Sequence, residues 1–88
     1  MRIIDTPDAP SHTGPVPQAV QAGGWIYVSA LFGADPGTHA IPPRARGEAE
    51  QRFTNLTAVL DAAGGGLADV VRVGIYARFM IEVVAYRG

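Results

Sequence analysis

The chain has 88 residues, no cysteine and a formal net charge of -1 from 7 basic and 8 acidic side chains, which bounds it to one small domain and excludes a disulfide framework or a thiolate metal site. All the basic residues are arginines, scattered from Arg2 to Arg87 without forming a stripe, whereas a protein that tracks phosphates usually carries a clustered basic excess; a nucleic-acid partner is not expected. No apolar run approaches the ~18 residues that span a bilayer, and Met1-Arg2-Ile3-Ile4-Asp5 turns polar at once, unlike a secretory leader, so a cytoplasmic protein without a membrane partner is expected.

Ile3-Ile4 gives a short first strand that ends before the Pro7 to Pro10 region. A loop follows through His12, and Pro15 and Pro17 delay the next strand because each fixes φ and removes a donor. Gln18 to Ala30 reads as a hairpin turning on Gly23-Gly24. This turn sets Ala22 opposite Trp25, Val20 opposite Tyr27 and Gln18 opposite Ser29 on one face. Ala19 then opposes Val28, and Gln21 opposes Ile26, on the other. Both faces are largely apolar, so both are expected to be covered, one by a helix and one by a second subunit.

Asp35-Pro36-Gly37-Thr38 is a turn signal. From about Arg44 to Ala63, Ala49, Phe53, Leu56, Leu60 and Ala63 recur at helical spacing and predict one long helix buried along that stripe, with Glu50, Thr54 and Asp61 opposite. Glu48 and Arg52 form an i,i+4 pair of favourable polarity. Gly64-Gly65-Gly66 ends the helix. Val70 to Tyr76 and Ile81 to Tyr86 both read as strand, with no turn residue among Ala77, Arg78, Phe79 and Met80. One unbroken strand from Val70 to Tyr86 would be about 56 Å long, beyond the usual range, so a break or bend is expected near Ala77 to Met80.

Five segments together carry a family resemblance. Gly14-Pro15-Val16-Pro17-Gln18-Ala19-Val20 is similar to the Gly-Pro-Tyr-x-Gln-Ala-Val of the RidA/YjgF family of reactive-intermediate deaminases. Trp25-Ile26-Tyr27-Val28-Ser29-Ala30 resembles that family's strand ending in Ser-Gly. Gly33-Ala34-Asp35-Pro36 with Ile41-Pro42, Asn55-Leu56-Thr57-Ala58-Val59-Leu60-Asp61-Ala62-Ala63-Gly64, and Asp69-Val70-Val71-Arg72-Val73 follow in the family's order. The match runs from about Ile4 to Tyr76. Ile81-Glu82-Val83-Val84-Ala85-Tyr86-Arg87 looks like the family's final strand.

The resemblance implies a single α+β, chorismate-mutase-like domain over the whole chain: a mixed sheet with a hairpin and one long helix. Relative to the family it would be incomplete, lacking a second helix and a strand bearing Pro-Ala-Arg. It also implies a homotrimer with sites in the clefts between subunits. The chemistry implied is hydrolysis of a small carboxylated imine or enamine to a 2-oxo acid and ammonia, with no metal or organic cofactor. Carried over residue by residue, the substrate-binding positions are Val16, where the family has a tyrosine, Ser29, Ala30, where it has a glycine, and Leu31. Arg78 is the substrate-carboxylate clamp only if Ala77-Arg78 is the end of the Pro-Ala-Arg motif; if these residues begin the final strand, the clamp is missing. A non-catalytic metabolite-binding trimer is the alternative reading, and an endoribonuclease or translation inhibitor the third.

Overall fold

The computed structural model describes residues 1–11, 16–77 and 80–88. Five strands and one long helix follow in chain order: β1 (Arg2–Ile4), β2 (Ala19–Ala22), β3 (Trp25–Leu31), α1 (Ala45–Ala62), β4 (Val70–Ala77) and β5 (Met80–Tyr86), with a single 3-10 turn at Leu67–Asp69 before β4. The strand order is β1-β2-β3-β5-β4. The expected α+β domain, a sheet with a hairpin and one long helix, is present, and every described strand pairing is antiparallel.

The β2–β3 hairpin has the register set by its glycines: Ala19 pairs with Val28, Val20 with Tyr27, Gln21 with Ile26 and Ala22 with Trp25. Gly23 and Gly24 both hold positive φ, at 55° and 85°, the turn type whose twist matches the strands it joins. The expected break near Ala77 to Met80 is present as two strands folded against one another, with Ala77 opposite Met80. Arg78 and Phe79 between them lie outside the described residues.

The side chains of β1, β2, β3 and β5 that face α1 build the core. Ile4, Ala19, Ile26, Val28, Leu31, Ile81, Val83 and Ala85 meet Leu56, Val59, Leu60 and Ala63 of the helix and its C-terminal residue. The buried strip of α1 is rotated from the predicted stripe. Asn55 and Val59 are fully enclosed, Glu48 is buried, and Phe53 is 59% exposed. The helix packs chiefly against β3, and Phe53 sits at its edge, lining a groove with Val73 of β4. At its C-terminus, Gly64 takes φ 81°. The N–H of Gly65 donates to the Leu60 carbonyl at 2.8 Å and that of Gly64 to the Asp61 carbonyl at 2.9 Å, the paired bonds of a Schellman stop.

Candidate functional site

The predicted binding residues cluster around the far end of β3. Between Val28 and Leu31 the pairing with β5 shifts register, an irregularity that bends a strand and re-aims its side chains. Ser29 lies in this stretch, half-buried, and its backbone N–H donates to the Gln18 carbonyl at 2.9 Å. That bond sets Ser29 beside the segment that carries Val16, two residues before Gln18. Val16 is 50% exposed and offers only carbon. Leu31 is buried in the core opposite Ile81, so it can serve a ligand through its backbone alone. Ala30 is held in β3 by its backbone. Arg78 lies outside the described residues, as do His12 and Pro15.

Two buried amides pin this end of β3 in place. The Gln18 side-chain oxygen accepts the Thr6 N–H at 2.6 Å, while its amide nitrogen is within bonding distance of the carbonyls of Thr6, Ala9 and Pro10, at 3.0, 3.0 and 3.1 Å. The backbone N–H of Gln18 donates to Asp5 Oδ1 at 3.1 Å. On the helix side, Asn55 Nδ2 donates to the carbonyls of Phe32 at 2.9 Å and Ala34 at 2.8 Å, and Asn55 Oδ1 accepts from Gln51 at 2.9 Å. Between those carbonyls, Gly33 lies against Glu48: a Cβ there would come within 2.5 Å of both the backbone oxygen and Oε1 of Glu48. Backbone groups that leave a strand must find partners when buried, and Asn55 supplies them just after Leu31.

The Glu48–Arg52 pair, expected from its i,i+4 spacing, is mostly enclosed rather than solvated, with side-chain exposures of 6% and 12%. Arg52 also lines an apolar groove of about 200 Å³ with Ala49, Phe53, Leu56, Val73 and Ile81. Sequence reasoning missed Gln18 and Asn55 as anchors. The available signal for Asn55 was a lone amide beside the helix's apolar stripe. For the burial of Glu48 it was Gly33, a residue whose missing side chain leaves room for a neighbour. Chemically, the β3 end offers a serine hydroxyl on a backbone braced from two sides; among the described residues nothing is bonded to that hydroxyl. No group of three or more His, Cys, Asp or Glu able to hold a metal occurs among the described residues, nor does a helix long and apolar enough to cross a membrane.

An antiparallel sheet backed on one face by a long helix, with its last strand inserted beside β3, is an α+β domain of the RidA-like kind. The RidA crystal structure from Psychrobacter sp. PAMC 21119 superposes with a TM-score of 0.88 at 26% identity, over 98% of this chain and 99% of that one. The family model described as Endoribonuclease L-PSP matches residues 6–86, and the chain belongs to this family, the RidA/YjgF family of the sequence resemblance. A 2-iminobutanoate/2-iminopropanoate deaminase from Dermatophagoides farinae is 45% identical over 78 residues, 88% of this chain and 61% of that protein. A RutC family protein from Synechocystis is 37% identical over 87 residues, 97% of this chain and 67% of its own length. The chain spans about half to two-thirds of the length of the curated relatives it matches.

Proposed function

We propose that this chain is a divergent relative of the enamine/imine deaminases that hydrolyse 2-imino acids, and that in its 88-residue form it turns them over weakly or not at all. The kinship to a named 2-iminobutanoate/2-iminopropanoate deaminase at 45% identity carries the first half. In the reaction, water adds to the imine carbon, the nitrogen takes up a proton, and the C–N bond breaks as ammonia leaves and the 2-oxo acid forms. Ser29, on the braced end of β3, is the side chain suited to hold the polar groups of the substrate; a preorganised hydrogen-bonding group is most effective when its scaffold does not have to move.

The second half rests on what replaces the family's other groups. The Val16 side chain cannot hydrogen-bond. β5, read as the family's final strand, follows β4 with only Arg78 and Phe79 between them, which supports the reading that a second helix and a Pro-Ala-Arg strand are missing. A guanidinium fork grips a carboxylate through two charged hydrogen bonds of ~1.5–3 kcal/mol each. Its loss lowers kcat/KM by roughly two to four orders of magnitude. Semicarbazide trapping of a freshly generated 2-imino acid, with and without the protein, tests this. The expected result is little loss of trapped imine above background. Rapid hydrolysis that vanishes in Arg78→Ala would instead make Arg78 the clamp; rapid hydrolysis that survives that change would remove Arg78 from the site.

A homotrimer belongs to the same proposal. The sheet face opposite α1 presents Ile3, Trp25, Tyr27 and Tyr86, all exposed, around the half-buried Val20 and Val84. Trp25 and Tyr86 meet edge to face, with centroids 4.7 Å apart. Such an apolar face favours a partner of its own kind. The exposed Val16 favours a second reading, in which the trimer's cleft binds a small carboxylated metabolite without converting it; tight binding with no turnover in the trapping assay would select it.

A further inference from the structure

The two edges of the sheet differ. β1 is an edge strand of 3 residues, short enough to be a poor template. β4, of 8 residues, lies at the other end of the strand order. It contains no proline, and Val71 and Val73 are 60% and 51% exposed. A long edge strand with unpaired N–H and C=O groups and apolar side chains is a site for strand addition unless something protects it. The charges beside it indicate what would fit. Gly74 pairs with Glu82 of β5, and Arg72 pairs with Val84, so Glu82, Gly74 and Arg72 all belong to the sheet face opposite α1. Glu82 and Arg72 are exposed, and neither takes part in the ion pairs formed among the described residues.

We propose that β4 is an interface for a second copy of this chain, paired antiparallel about a two-fold axis at Val73. In that register Val73 faces its own counterpart on the helix side, and Arg72 of one copy stands opposite Gly74 of the other. Because Gly74 has no side chain, Arg72 reaches across it to Glu82 of the other copy. The Cα separation is two strand spacings, ~9.6 Å, within the combined length of the two side chains. The symmetry gives this ion pair twice, as an isologous contact requires. The axis is normal to the sheet, so both helices remain on one side and the two apolar grooves beside Phe53 and Val73 open into a common trough. This edge contact is separate from the sheet face assigned to the trimer and does not depend on it.

A charge swap and a cross-link test the register. Arg72→Glu and Glu82→Arg each place like charges across the axis, and each should weaken edge association roughly tenfold or more in sedimentation velocity. The double variant should restore it, with circular dichroism confirming that all three fold. Since the chain has no cysteine, Val73→Cys provides a clean second readout: mild oxidation should give a covalent dimer, and Val71→Cys far less of it. If the edge contact forms, the mass falls at least twofold in each single variant, whether the sheet face associates or not. A mass unchanged by Arg72→Glu and Glu82→Arg, a double variant as dissociated as the singles, or the absence of a Val73→Cys dimer would each overturn the proposal.

Discussion

Asn55 is fully buried on α1, and its amide donates to the carbonyls of Phe32 and Ala34. Truncation would take this donor from the buried Ala34 carbonyl. An unsatisfied buried group of this kind costs about 1–3 kcal/mol, so Asn55→Ala is expected to lose about 2 kcal/mol, or roughly 10 °C of thermal midpoint for a domain of this size. Asn55→Asp should do worse, because it keeps the acceptor, loses the donors and buries a charge. Thermal unfolding followed by circular dichroism checks both; a midpoint within a degree or two of the parent would mean that the loop from Phe32 to Ala34 is held by something else. Gln18 does the equivalent on the opposite side, fastening residues 5–10 to the start of β2. Such amides are hard to read from sequence, since their partners are backbone atoms brought close only by the fold.

Among the elements, the ones legible in the sequence are those whose cause is local. Gly23-Gly24 fixed the hairpin register, Gly64 the helix end and Asp35-Pro36-Gly37-Thr38 a turn, each through the φ or side-chain chemistry of adjacent residues. The placement of β5 between β3 and β4 was not legible, because pairing order is decided by contacts distant in sequence. The rotation of α1 was missed for a related reason. Periodicity shows that a helix has an apolar side, but Phe53 and Val59 compete for the core, and only the helix's position against the sheet decides for Val59.

The Asp35 turn makes a pH-dependent prediction. Asp35 Oδ1 accepts the N–H groups of Gly37 at 2.8 Å and Thr38 at 2.9 Å. The backbone bond from Thr38, then that from Gly37, holds its carboxyl below the ordinary 3.8. A carboxyl with a lowered folded value contributes stability that is fully present above its unfolded value and is lost as pH falls through the folded one. Asp35→Asn, which keeps the shape and removes the charge, should be less stable than the parent near pH 7, and the gap should narrow below about pH 4. Urea midpoints measured across that range decide it; a gap that stays constant with pH would mean that the carboxylate's charge has no part in the turn.

At the scale of the whole molecule, the one described long helix leaves two apolar surfaces: the sheet face opposite it and the strip beside β4. Small domains often recover missing burial by association, and the two surfaces predict different assemblies that single substitutions separate. Tyr27 stands on the open face, paired across the sheet with Val20 and Val84. A carboxylate there remains solvated in a single subunit, since Tyr27 is exposed, but would be buried without a partner at the centre of a trimer, where an uncompensated charge is strongly unfavourable. Tyr27→Asp is therefore expected to fold with unchanged circular dichroism and to abolish the proposed trimer, while retaining any association through β4. Arg72→Glu should do the reverse. Sedimentation equilibrium at micromolar concentration distinguishes the two, and Trp25, the chain's one tryptophan, gives an independent signal: its emission should shift to the red when Tyr27→Asp exposes the face. A parent chain that sediments as a monomer would remove the trimer, and a Tyr27→Asp variant that keeps the parent's mass would move any assembly away from this face of the sheet.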